Sequence, residues 1–344
     1  MRVLVLGGSG HIGGHLLKML HNTSWAVATG ASRRKRHAKD EEALQTGWLE
    51  LDSRDAGQLA SALKNFDAVV NCVAGDGASI SEGMHALVDA ALKANCPRIV
   101  HLSTMSVYGP AEGLINEDAP RDPGLGWYGR AKCEAEASLQ EFVRRGGEAV
   151  MLRPGCVFGP GSELWVGRIG RWLRSGRLGD LGVAGDGWSN LVHVDDVCQA
   201  LLVALQLPVA PGELPVFNLA APDSPRWNGY FVDLALELKA TPVRRISRRQ
   251  LQVDSWVGGP PLKAAERALK YLGSSSRRIP DALPPGLLRL WAQHIRLDSQ
   301  AATEKLGLTW TPYTRGLHDS ARWFCTGASA SNPTMEKIYA FPDS

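Results

Sequence analysis

The two side chains of this sequence best suited to proton transfer are Tyr128 and Lys132. Residues four apart on a helix share one face, and the apolar spacing of residues 127–145 predicts a long amphipathic helix. A free tyrosine has a pKa of about 10, which is too high for acid–base work at neutral pH, but a neighbouring ammonium lowers that pKa. Such a pair is more often a surface pair, so the acid–base hypothesis needs a second feature.

Hydroxyl side chains supply that feature, because they follow a strand predicted at residues 98–102. The segment that leaves this strand reads Ser103-Thr104-Met105-Ser106-Val107-Tyr108-Gly109. Ligands of open parallel sheets bind at the carboxyl ends of the strands. A hydroxyl at that end can hydrogen-bond a substrate oxygen beside Tyr128, so the two segments together predict one catalytic site.

A glycine turn near the N-terminus predicts a dinucleotide-binding site. Gly7, Gly10 and Gly13 lie between a buried strand at residues 3–6 and a helix at residues 12–20. Glycine has no Cβ to obstruct the close approach of a pyrophosphate, and the N-terminus of the helix offers unpaired N–H groups. A glycine pattern alone is a weak signal, but its place between a strand and a helix makes it a strong one.

The end of the second strand indicates which nicotinamide cofactor fits. The chain reads Gly30-Ala31-Ser32-Arg33-Arg34 there, with no carboxylate before Asp40. A carboxylate at this point would bind the ribose hydroxyls of NAD, whereas an arginine suits the 2′-phosphate of NADP. Arg33 and Arg34 therefore favour NADP(H), with NAD(H) as the alternative. A solvated basic loop is the better interpretation for the residues that follow, Lys35, Arg36 and Lys39.

Alternating strands and helices must position these residues. Strands are predicted at residues 3–6, 26–29, 48–51, 68–72, 98–102 and 149–152, and helices at residues 12–20, 56–65, 83–94 and 127–145. This order predicts an α/β fold, a Rossmann-type doubly wound parallel sheet with a smaller C-terminal substrate-binding lobe. We expect a dinucleotide-binding domain at residues 1–160, a lobe interleaved with the end of the sheet at 161–330, and a flexible tail at 331–344.

The composition excludes several other classes of protein. The chain has 344 residues and a net charge of only +3, which gives no whole-protein case for nucleic acid. Its six cysteines are scattered without metal-ligand spacing, so we expect no metal site and a reducing compartment. No apolar run approaches the roughly 20 residues of a membrane helix, and the N-terminus lacks the pattern of a signal peptide. These features predict a cytoplasmic protein without a membrane partner.

Seven sequence motifs together resemble the extended short-chain dehydrogenases/reductases of the NAD-dependent epimerase/dehydratase type. They are Gly7-x-x-Gly10-x-x-Gly13, Leu51-Asp52, Asn71-Cys72-Val73-Ala74, Ser103-Thr104 with Val107-Tyr108-Gly109, Tyr128-x-x-x-Lys132, Arg153-Pro154-Gly155 with Phe158-Gly159-Pro160, and Val192-His193-Val194-Asp195-Asp196-Val197. The resemblance covers residues 1–325 by element order and identifies no substrate. Homodimers are common in this superfamily, so a homodimer is a candidate assembly.

The resemblance implies a role for each motif. Thr104 would hold the substrate oxygen, Tyr128 would be the general acid–base, and Lys132 would lower the pKa of Tyr128 and bind the nicotinamide ribose. The other expected cofactor contacts are the turn residues Gly7, Gly10, His11, Ile12 and Gly13, the adenosine-side residues Arg33, Arg34, Asp52 and Ser53, and the strand-end residues Cys72, Val73, Ala74, Ser103, Pro154 and Gly155. His193 and Asp195 would be structural residues that tie the second lobe to the sheet.

Departures from the family pattern narrow the expected reaction. Dehydratases of the family place an Asp-Glu pair after the catalytic threonine, where this chain has Met105 and Ser106, so dehydration is not expected. Ser189-Asn190-Leu191 replaces the arginine that helps nucleotide-sugar epimerases bind a diphosphate. This replacement, together with Arg153-Pro154-Gly155-Cys156 where those epimerases have Arg-x-x-Asn, resembles the branch of hydroxysteroid dehydrogenases and dihydroflavonol reductases, which implies reduction of a ketone or aldehyde or the reverse oxidation. A nucleotide-sugar 4-epimerase with tightly bound NAD is the alternative, followed by a non-catalytic NADP-binding regulator.

Two features of the second half have open interpretations. Arg168, Arg171, Arg174 and Arg177 could bind a diphosphate, but their helical spacing favours a solvated face. Residues 255–297 contain apolar side chains that would form either a lid over the substrate or part of the core of the smaller lobe. The residues concerned are Trp256, Leu262, Leu287, Leu288, Leu290 and Trp291. A lid would imply a mid-sized substrate that is at least partly apolar.

Overall fold

The computed structural model describes residues 1–33, 46–95, 98–122, 124, 126–258, 261–262 and 281–327. Its centre is a seven-stranded parallel sheet with the order β10-β7-β5-β4-β1-β2-β3. The strands of this sheet are β1 (Arg2–Leu6), β2 (Val27–Ser32), β3 (Gly47–Glu50), β4 (Ala68–Asn71), β5 (Arg98–Leu102), β7 (Glu148–Pro154) and β10 (Val216–Leu219). This confirms the predicted α/β fold with a parallel Rossmann-type sheet.

Central strands are short runs of β-branched and apolar residues because both of their faces are covered. All four residues of β4 are buried, as are the last four residues of β5. The sequence predicted β5 with the correct bounds. The prediction for β2 ended three residues too early. In the structure the pairing of β2 with β3 continues to Ser32, which lies opposite Glu50.

Eleven α-helices lie within the part of the chain that the structure describes. They are α1 (His11–His21), α2 (Ala56–Leu63), α3 (Gly77–Ala94), α4 (Trp127–Arg144), α5 (Ile169–Arg174), α6 (Val194–Gln206), α7 (Trp227–Glu237), α8 (Arg248–Gln252), α9 (Pro285–Ala292), α10 (Gln300–Lys305) and α11 (Tyr313–Cys325). Helices α1 and α6 pack together on one face of the sheet, and α2, α3 and α4 cover the other face.

Helix α3 begins six residues earlier than the sequence predicted. Asp76 is its N-cap, and the carboxylate accepts a hydrogen bond of 2.8 Å from the backbone N–H of Ser79. Such a cap satisfies one of the N–H groups that a helix start leaves unpaired. The glycine and serine content of the first turn hid this start, and the cap places α3 directly beside α4.

The second half of the chain adds the outermost strand of the sheet and a smaller lobe. β10 pairs in parallel with β7, and two short parallel pairs, β6 (Gly113–Ile115) with β11 (Ile295–Leu297) and β8 (Cys156–Phe158) with β9 (Leu191–His193), connect the lobe to the strand ends. The lobe core contains three tryptophans that are almost fully buried, Trp172, Trp227 and Trp291.

The core of the lobe distinguishes the two interpretations of residues 255–297, a lid or a part of the lobe core, for those residues that the structure describes. Leu287 is 1% exposed and Trp291 is fully buried, so both belong to the core of the lobe and form no part of a lid. Leu288 and Leu290 are partly buried against the core of the lobe. Leu290 also packs against the apolar cluster that contains Met105 and Tyr108. Residues 263–280, the side chain of Trp256, Arg34 and the predicted tail at 331–344 lie outside the description. No helix of the described residues is long and apolar enough to cross a membrane.

Candidate active site

The structure brings Tyr128 and Lys132 of α4 to the carboxyl end of β5. Tyr128 is 8% exposed and Lys132 is 2% exposed. The Lys132 ammonium donates a hydrogen bond of 2.7 Å to the carbonyl oxygen of Leu102, the last residue of β5. The helix with the proposed acid–base is therefore in direct contact with the strand end that leads to Thr104, as the sequence predicted.

The surroundings of Lys132 lower the pKa of its ammonium group. Burial lowers the pKa of this ammonium to about 8, while the nearby Glu136 carboxylate favours the charged form. The group therefore still carries a proton at neutral pH. An ammonium in this position favours ionisation of a neighbouring phenol, which is the role expected of Lys132 beside Tyr128.

Thr104 lies at the first turn after β5. Its hydroxyl oxygen accepts a weak bond of 3.3 Å from the N–H of Ser106 and caps the 3₁₀ turn at Met105–Tyr108. Its hydroxyl proton points to the Ser106 hydroxyl across 3.4 Å. Since neither bond is strong, a substrate oxygen can replace the Ser106 hydroxyl as the acceptor.

Ser103 does not present its hydroxyl to a cofactor. The group is buried and donates a hydrogen bond of 2.6 Å to the Glu136 carboxylate of α4. The expectation of a cofactor contact at Ser103 is thereby limited to its backbone. The side chain faces the inside of the protein.

The glycine turn has the shape that a pyrophosphate requires. Gly7 has a φ of +79°, and a Cβ there would lie 2.8 Å from the carbonyl oxygen of Cys72. A Cβ on Gly13 would lie 2.3 Å from the carbonyl oxygen of Gly7. Gly10 is the N-cap of α1 and supplies no side-chain cap, so the first N–H groups of this helix are left for an anion. The residues present therefore fit a dinucleotide cofactor.

The side chains between the last two glycines of the turn point into the protein. The imidazole Nε2 of His11 lies 2.9 Å from the carbonyl oxygen of Pro160, which links α1 to the second half of the chain. Burial, followed by the neighbouring His15, lowers the pKa of His11 to about 3, so the ring is neutral. Ile12 packs against the core under α1. For both residues only the backbone is left to contact a pyrophosphate.

The end of β4 separates the glycine turn from Lys132. The N–H of Cys72 donates to the carbonyl oxygen of Leu6 at 3.0 Å, and the carbonyl oxygen of Val73 lies 3.5 Å from the Lys132 ammonium. Ala74 is exposed beyond them. Burial raises the pKa of the Cys72 thiol to about 12, so this cysteine is not a nucleophile at neutral pH.

Arg33 and Asp52 lie together at the adenosine side, where both border one cavity beside β2 and β3. The Asp52 carboxylate accepts hydrogen bonds of 2.9 and 3.3 Å from Arg54, a residue that the sequence analysis missed. Arg54 lowers the pKa of Asp52, and the positive charge of Arg33 acts in the same direction on Asp52 and on Asp76. Two arginines and two carboxylates thus meet at this corner.

Ser53, Pro154 and Gly155 lie where neighbouring segments of the chain approach each other closely. Ser53 lies against Gly83 of α3, where a Cβ would be 3.2 Å from the serine hydroxyl oxygen. Pro154 is the buried last residue of β7. A Cβ on Gly155 would lie 2.1 Å from the carbonyl oxygen of Asn190, so glycine is required where the loop before β9 reaches the sheet.

His193 has the structural role that the resemblance implied. It is the N-cap of α6, its Nδ1 accepts a bond of 3.4 Å from the N–H of Asp195, and burial lowers its pKa. Asp195 reaches across to α1, where its carboxylate lies 3.5 Å from Nδ1 of His15. This contact ties the start of α6 to α1.

The interpretation of the four arginines at 168–177 as a solvated face was wrong for Arg168, Arg171 and Arg177, whereas Arg174 is exposed. Arg171 is paired with Glu163 and with Asp281. Asp281 also lies 4.0 Å from Arg168, and Arg177 binds Asp254 through bonds of 2.6 and 2.9 Å. The Arg174 guanidinium lies over the ring of Phe324 at 4.6 Å. Three carboxylates, two of them from distant parts of the chain, pair with this group, so it holds the smaller lobe together.

Among the described residues, no group of three or more histidine, cysteine or acidic side chains could hold a metal ion. Thr104, Tyr128 and Lys132 are the candidate catalytic residues of the described site. Sequence reasoning missed Glu136 and Arg54. An acidic residue four positions after Lys132, on the apolar face of α4, was the signal that could have revealed Glu136.

Comparisons with known proteins agree with this arrangement. The model of the NAD dependent epimerase/dehydratase family matches residues 3–220. Protein YeeZ of Escherichia coli strain K12 is 33% identical over 161 residues, which cover 47% of this chain and 53% of that protein. The match thus spans about half the length of that relative. The 4-hydroxy-2-methyl-3-oxo-4-farnesyl-3,4-dihydroquinoline-1-oxide ketoreductase of Stigmatella aurantiaca is 26% identical over 340 residues, covering 89% of this chain and 91% of that protein.

A solved structure with a similar fold is the UDP-glucuronic acid 4-epimerase of Bacillus cereus in complex with UDP-glucuronic acid and NAD. It superposes with a TM-score of 0.71 and 18% identity, covering 95% of this chain and 99% of that one. At this identity the likeness concerns the fold alone. The family model, in contrast, covers more than half of the chain and includes the glycine turn, Thr104, Tyr128 and Lys132. The chain belongs to the NAD-dependent epimerase/dehydratase family.

Proposed function

We propose that the protein reduces a ketone or an aldehyde, or oxidises the corresponding secondary alcohol, with NADP(H) as the preferred cofactor. The observation that carries this proposal is the bond of 2.7 Å between the Lys132 ammonium and the carbonyl oxygen of Leu102. This bond holds the helix of Tyr128 against the strand end that carries Thr104. An acid–base and a hydroxyl anchor are thus brought to one edge of the sheet, next to a cradle for a dinucleotide.

In the proposed reaction, bound NADPH supplies a hydride to the carbonyl carbon. Thr104 holds the carbonyl oxygen by donating its hydroxyl proton in a hydrogen bond. Tyr128 donates its phenolic proton to the same oxygen as negative charge develops there, and Lys132 stabilises the phenolate that remains. The reverse oxidation uses the same groups, with the Tyr128 phenolate accepting the proton of the alcohol.

Arg33 supports the preference for NADP(H). It follows β2 directly, is exposed, and shares a corner with Asp52 and Arg54. A guanidinium can bind a 2′-phosphate through two parallel hydrogen bonds. Arg54 brings a second guanidinium to this corner, although its pairing with Asp52 compensates part of its charge. NAD(H) is the alternative cofactor, and NAD is present in the similar structure of the B. cereus epimerase.

The environment of the second lobe favours a carbonyl substrate without a nucleotide handle. Arg168, Arg171 and Arg177 are already paired with carboxylates of the same lobe. Ser189 is buried and bonded to the carbonyl oxygen of Pro225, at the position where nucleotide-sugar epimerases have an arginine. The ketoreductase of S. aurantiaca, which matches most of this chain, supports the same substrate class.

The experiment that tests the proposal compares two sets of substrates with one protein preparation. NADPH and NADH oxidation is measured with a panel of apolar ketones and aldehydes, and sugar-nucleotide products are analysed in parallel for inversion at C4. Net oxidation of NADPH with a ketone supports the reductase. Inversion of a UDP-sugar with co-purifying NAD and no net cofactor consumption would instead establish the epimerase. NADPH binding without turnover of any substrate would favour the non-catalytic regulator.

The partners we propose are a small-molecule substrate and a second copy of the chain, with neither nucleic acid nor membrane. The five described cysteines, Cys72, Cys133, Cys156, Cys198 and Cys325, are free thiols, which supports a reducing compartment such as the cytoplasm. Size-exclusion chromatography with light scattering tests the homodimer, because a mass near that of one chain of 37.1 kDa would contradict it.

A further inference from the structure

A carboxylate lies fully buried beneath the catalytic pair. Glu136 of α4 has no exposed surface, and it follows Lys132 by four residues and Tyr128 by eight. At the helical repeat of 3.6 residues these three side chains lie along one face. A buried carboxylate is costly unless it is paired and hydrogen-bonded, so its partners determine what it does.

The partners of Glu136 come from β7, from the residue that follows β5 and from the loop before α4. The Arg153 guanidinium of β7 donates two bonds to the carboxylate, at 2.9 Å from Nε and 2.8 Å from Nη2. The Ser103 hydroxyl donates a third bond of 2.6 Å. Arg121 approaches from the rim at 3.4 Å. Ser103, Glu136 and Arg153 together form the Glu136 network.

The Glu136 network connects three elements that carry the proposed site. Ser103 is the neighbour of Thr104, and Arg153 is the neighbour of Pro154 at the end of β7. Arg153 also donates to the Tyr108 hydroxyl at 2.9 Å and to the carbonyl oxygen of Glu117 at 3.0 Å. One carboxylate on the catalytic helix thus fixes its distance from both strand ends.

The network also sets the balance of buried charge around Lys132. Cys72 at the end of β4, His101 of β5 and Glu136 of α4 act electrostatically on Lys132 or are acted on by it. Burial keeps the thiol and the imidazole neutral at neutral pH, because it raises the pKa of Cys72 and lowers that of His101. Glu136 also acts electrostatically on Cys133 and lies 3.4 Å from Arg121. The negative charge of Glu136 therefore opposes the positive charges of Lys132 and Arg153.

We propose that Glu136 is a positioning residue, whose buried carboxylate holds Tyr128 and Lys132 in register with Thr104 and balances the charge of Arg153 beside them. The proposal rests on the proposed function of Tyr128 as the acid–base. Glu136 does not touch the substrate, and it acts through Lys132, Ser103 and Arg153.

The two parts of this role have different consequences. Loss of the hydrogen bonds loosens the helix and lowers kcat. Loss of the negative charge leaves Arg153 unbalanced, and an extra positive charge lowers the pH at which the coupled pair Tyr128–Lys132 gives up its first proton. Carbonyl reduction needs that pair protonated, so the alkaline limb of kcat/KM moves to lower pH.

The test is the alkaline limb of kcat/KM for NADPH-dependent reduction in four proteins. Glu136→Gln is expected to move the limb down by about one pH unit and to lower kcat about tenfold or more. Ser103→Ala removes a hydrogen bond without changing charge, so kcat falls while the limb stays in place. Glu141→Gln removes a half-exposed carboxylate of the same helix that is paired with Arg144, and it is expected to leave both quantities unchanged. The double variant Glu136→Gln with Arg153→Gln restores charge balance and returns the limb towards its original position.

The outcomes separate this proposal from the proposed function. An alkaline limb in Glu136→Gln equal to that of the unchanged protein, or an equal shift in Ser103→Ala, would overturn the positioning role. Absence of ketone reduction in the unchanged protein, or full turnover in Tyr128→Phe, would instead overturn the proposed function. If Glu136→Gln does not fold, the double variant and Glu136→Asp decide. Glu136→Asp keeps the charge, so its limb is expected to stay in place while kcat falls.

Discussion

The ammonium of Lys132 lies 2.7 Å from the carbonyl oxygen of Leu102. This single contact joins the catalytic helix to the strand that ends just before Thr104, and it does so in a buried place. Burial lowers the pKa of Lys132 to about 8, so the site maintains a charged group at some cost in stability.

Lys132→Met is expected to abolish turnover and to stabilise the fold. Because the folded-state pKa of Lys132 lies below the ordinary value, the unfolded chain binds more protons between pH 8 and 10.5, and the free energy of unfolding rises with pH across that window. At pH 7 the variant should gain about 2 kcal/mol, after allowance for its lost hydrogen bond. Chemical denaturation at pH 7 measures the gain in stability, and its comparison with denaturation at pH 10 measures the pH dependence. A variant that is less stable than the unchanged protein at pH 7, or whose free energy of unfolding shows the same rise with pH, would contradict the account.

Gly13→Ala is expected to abolish dinucleotide binding. Its Cβ would lie 2.3 Å from the carbonyl oxygen of Gly7, so the turn has to shift away from the shape that receives a pyrophosphate. The matched control is Gly14→Ala in the same helix, where a Cβ would lie 3.6 Å from the nearest atom, the carbonyl oxygen of Gly8. That variant should keep its affinity and gain about 0.5 kcal/mol of helix stability. Titration of NADPH fluorescence distinguishes the two, and equal affinities would refute the role of the turn.

Arg33→Ala is expected to weaken NADPH binding by about tenfold to a hundredfold, with NADH affected about threefold or less. The reason is that only NADPH carries the 2′-phosphate that a guanidinium can bind at this corner. Arg248→Ala, a substitution at an exposed arginine of α8 in the smaller lobe, serves as the control. Dissociation constants for both cofactors check the prediction. Parallel losses for NADPH and NADH would show that Arg33 does not select between them.

His11 should make the protein sensitive to acid. Burial lowers its pKa from 6.5 to about 3, so the unfolded chain binds a proton that the folded chain does not, and stability falls as the pH drops from 6.5 towards 3. The loss from this residue is on the order of 4 kcal/mol at the low end. His11→Phe should flatten the dependence, while replacement of the exposed His21 by Gln should leave it unchanged. Urea unfolding from pH 7 to pH 4 measures the slopes, and identical slopes for all three proteins would be inconsistent with a buried neutral His11.

Much of the fold could be predicted because the strands are buried on both faces. Runs such as Val3 to Leu6 and Arg98 to Leu102 have the continuous apolar character of parallel strands, and the glycine turn marked the first crossover. Boundaries were harder where capping or pairing decides. The start of α3 depends on the Asp76 cap, and the end of β2 depends on pairing with β3.

The candidate site was predictable where its residues are close in sequence. Tyr128 and Lys132 share a helical face, and Thr104 follows a strand, so local patterns were sufficient. Glu136 was missed although it lies on the apolar face of α4, because an acidic residue on a helix is normally solvated and its partners Ser103 and Arg153 come from distant parts of the chain. Arg168, Arg171 and Arg177 were misread for the same reason, since their carboxylate partners, Glu163 excepted, lie about 80 to 110 positions away.

The most direct test of the account follows a deuterium from the C4 position of NADPH into the product of ketone reduction, in the unchanged protein and in Tyr128→Phe. We expect the unchanged protein to place one deuterium on the carbinol carbon. Tyr128→Phe should bind NADPH with similar affinity but lose turnover by a factor of about 100 to 10,000, because the proton donor is missing. A Tyr128→Phe protein that transfers deuterium at the original rate, or an unchanged protein that transfers none to any carbonyl, would contradict the central claim.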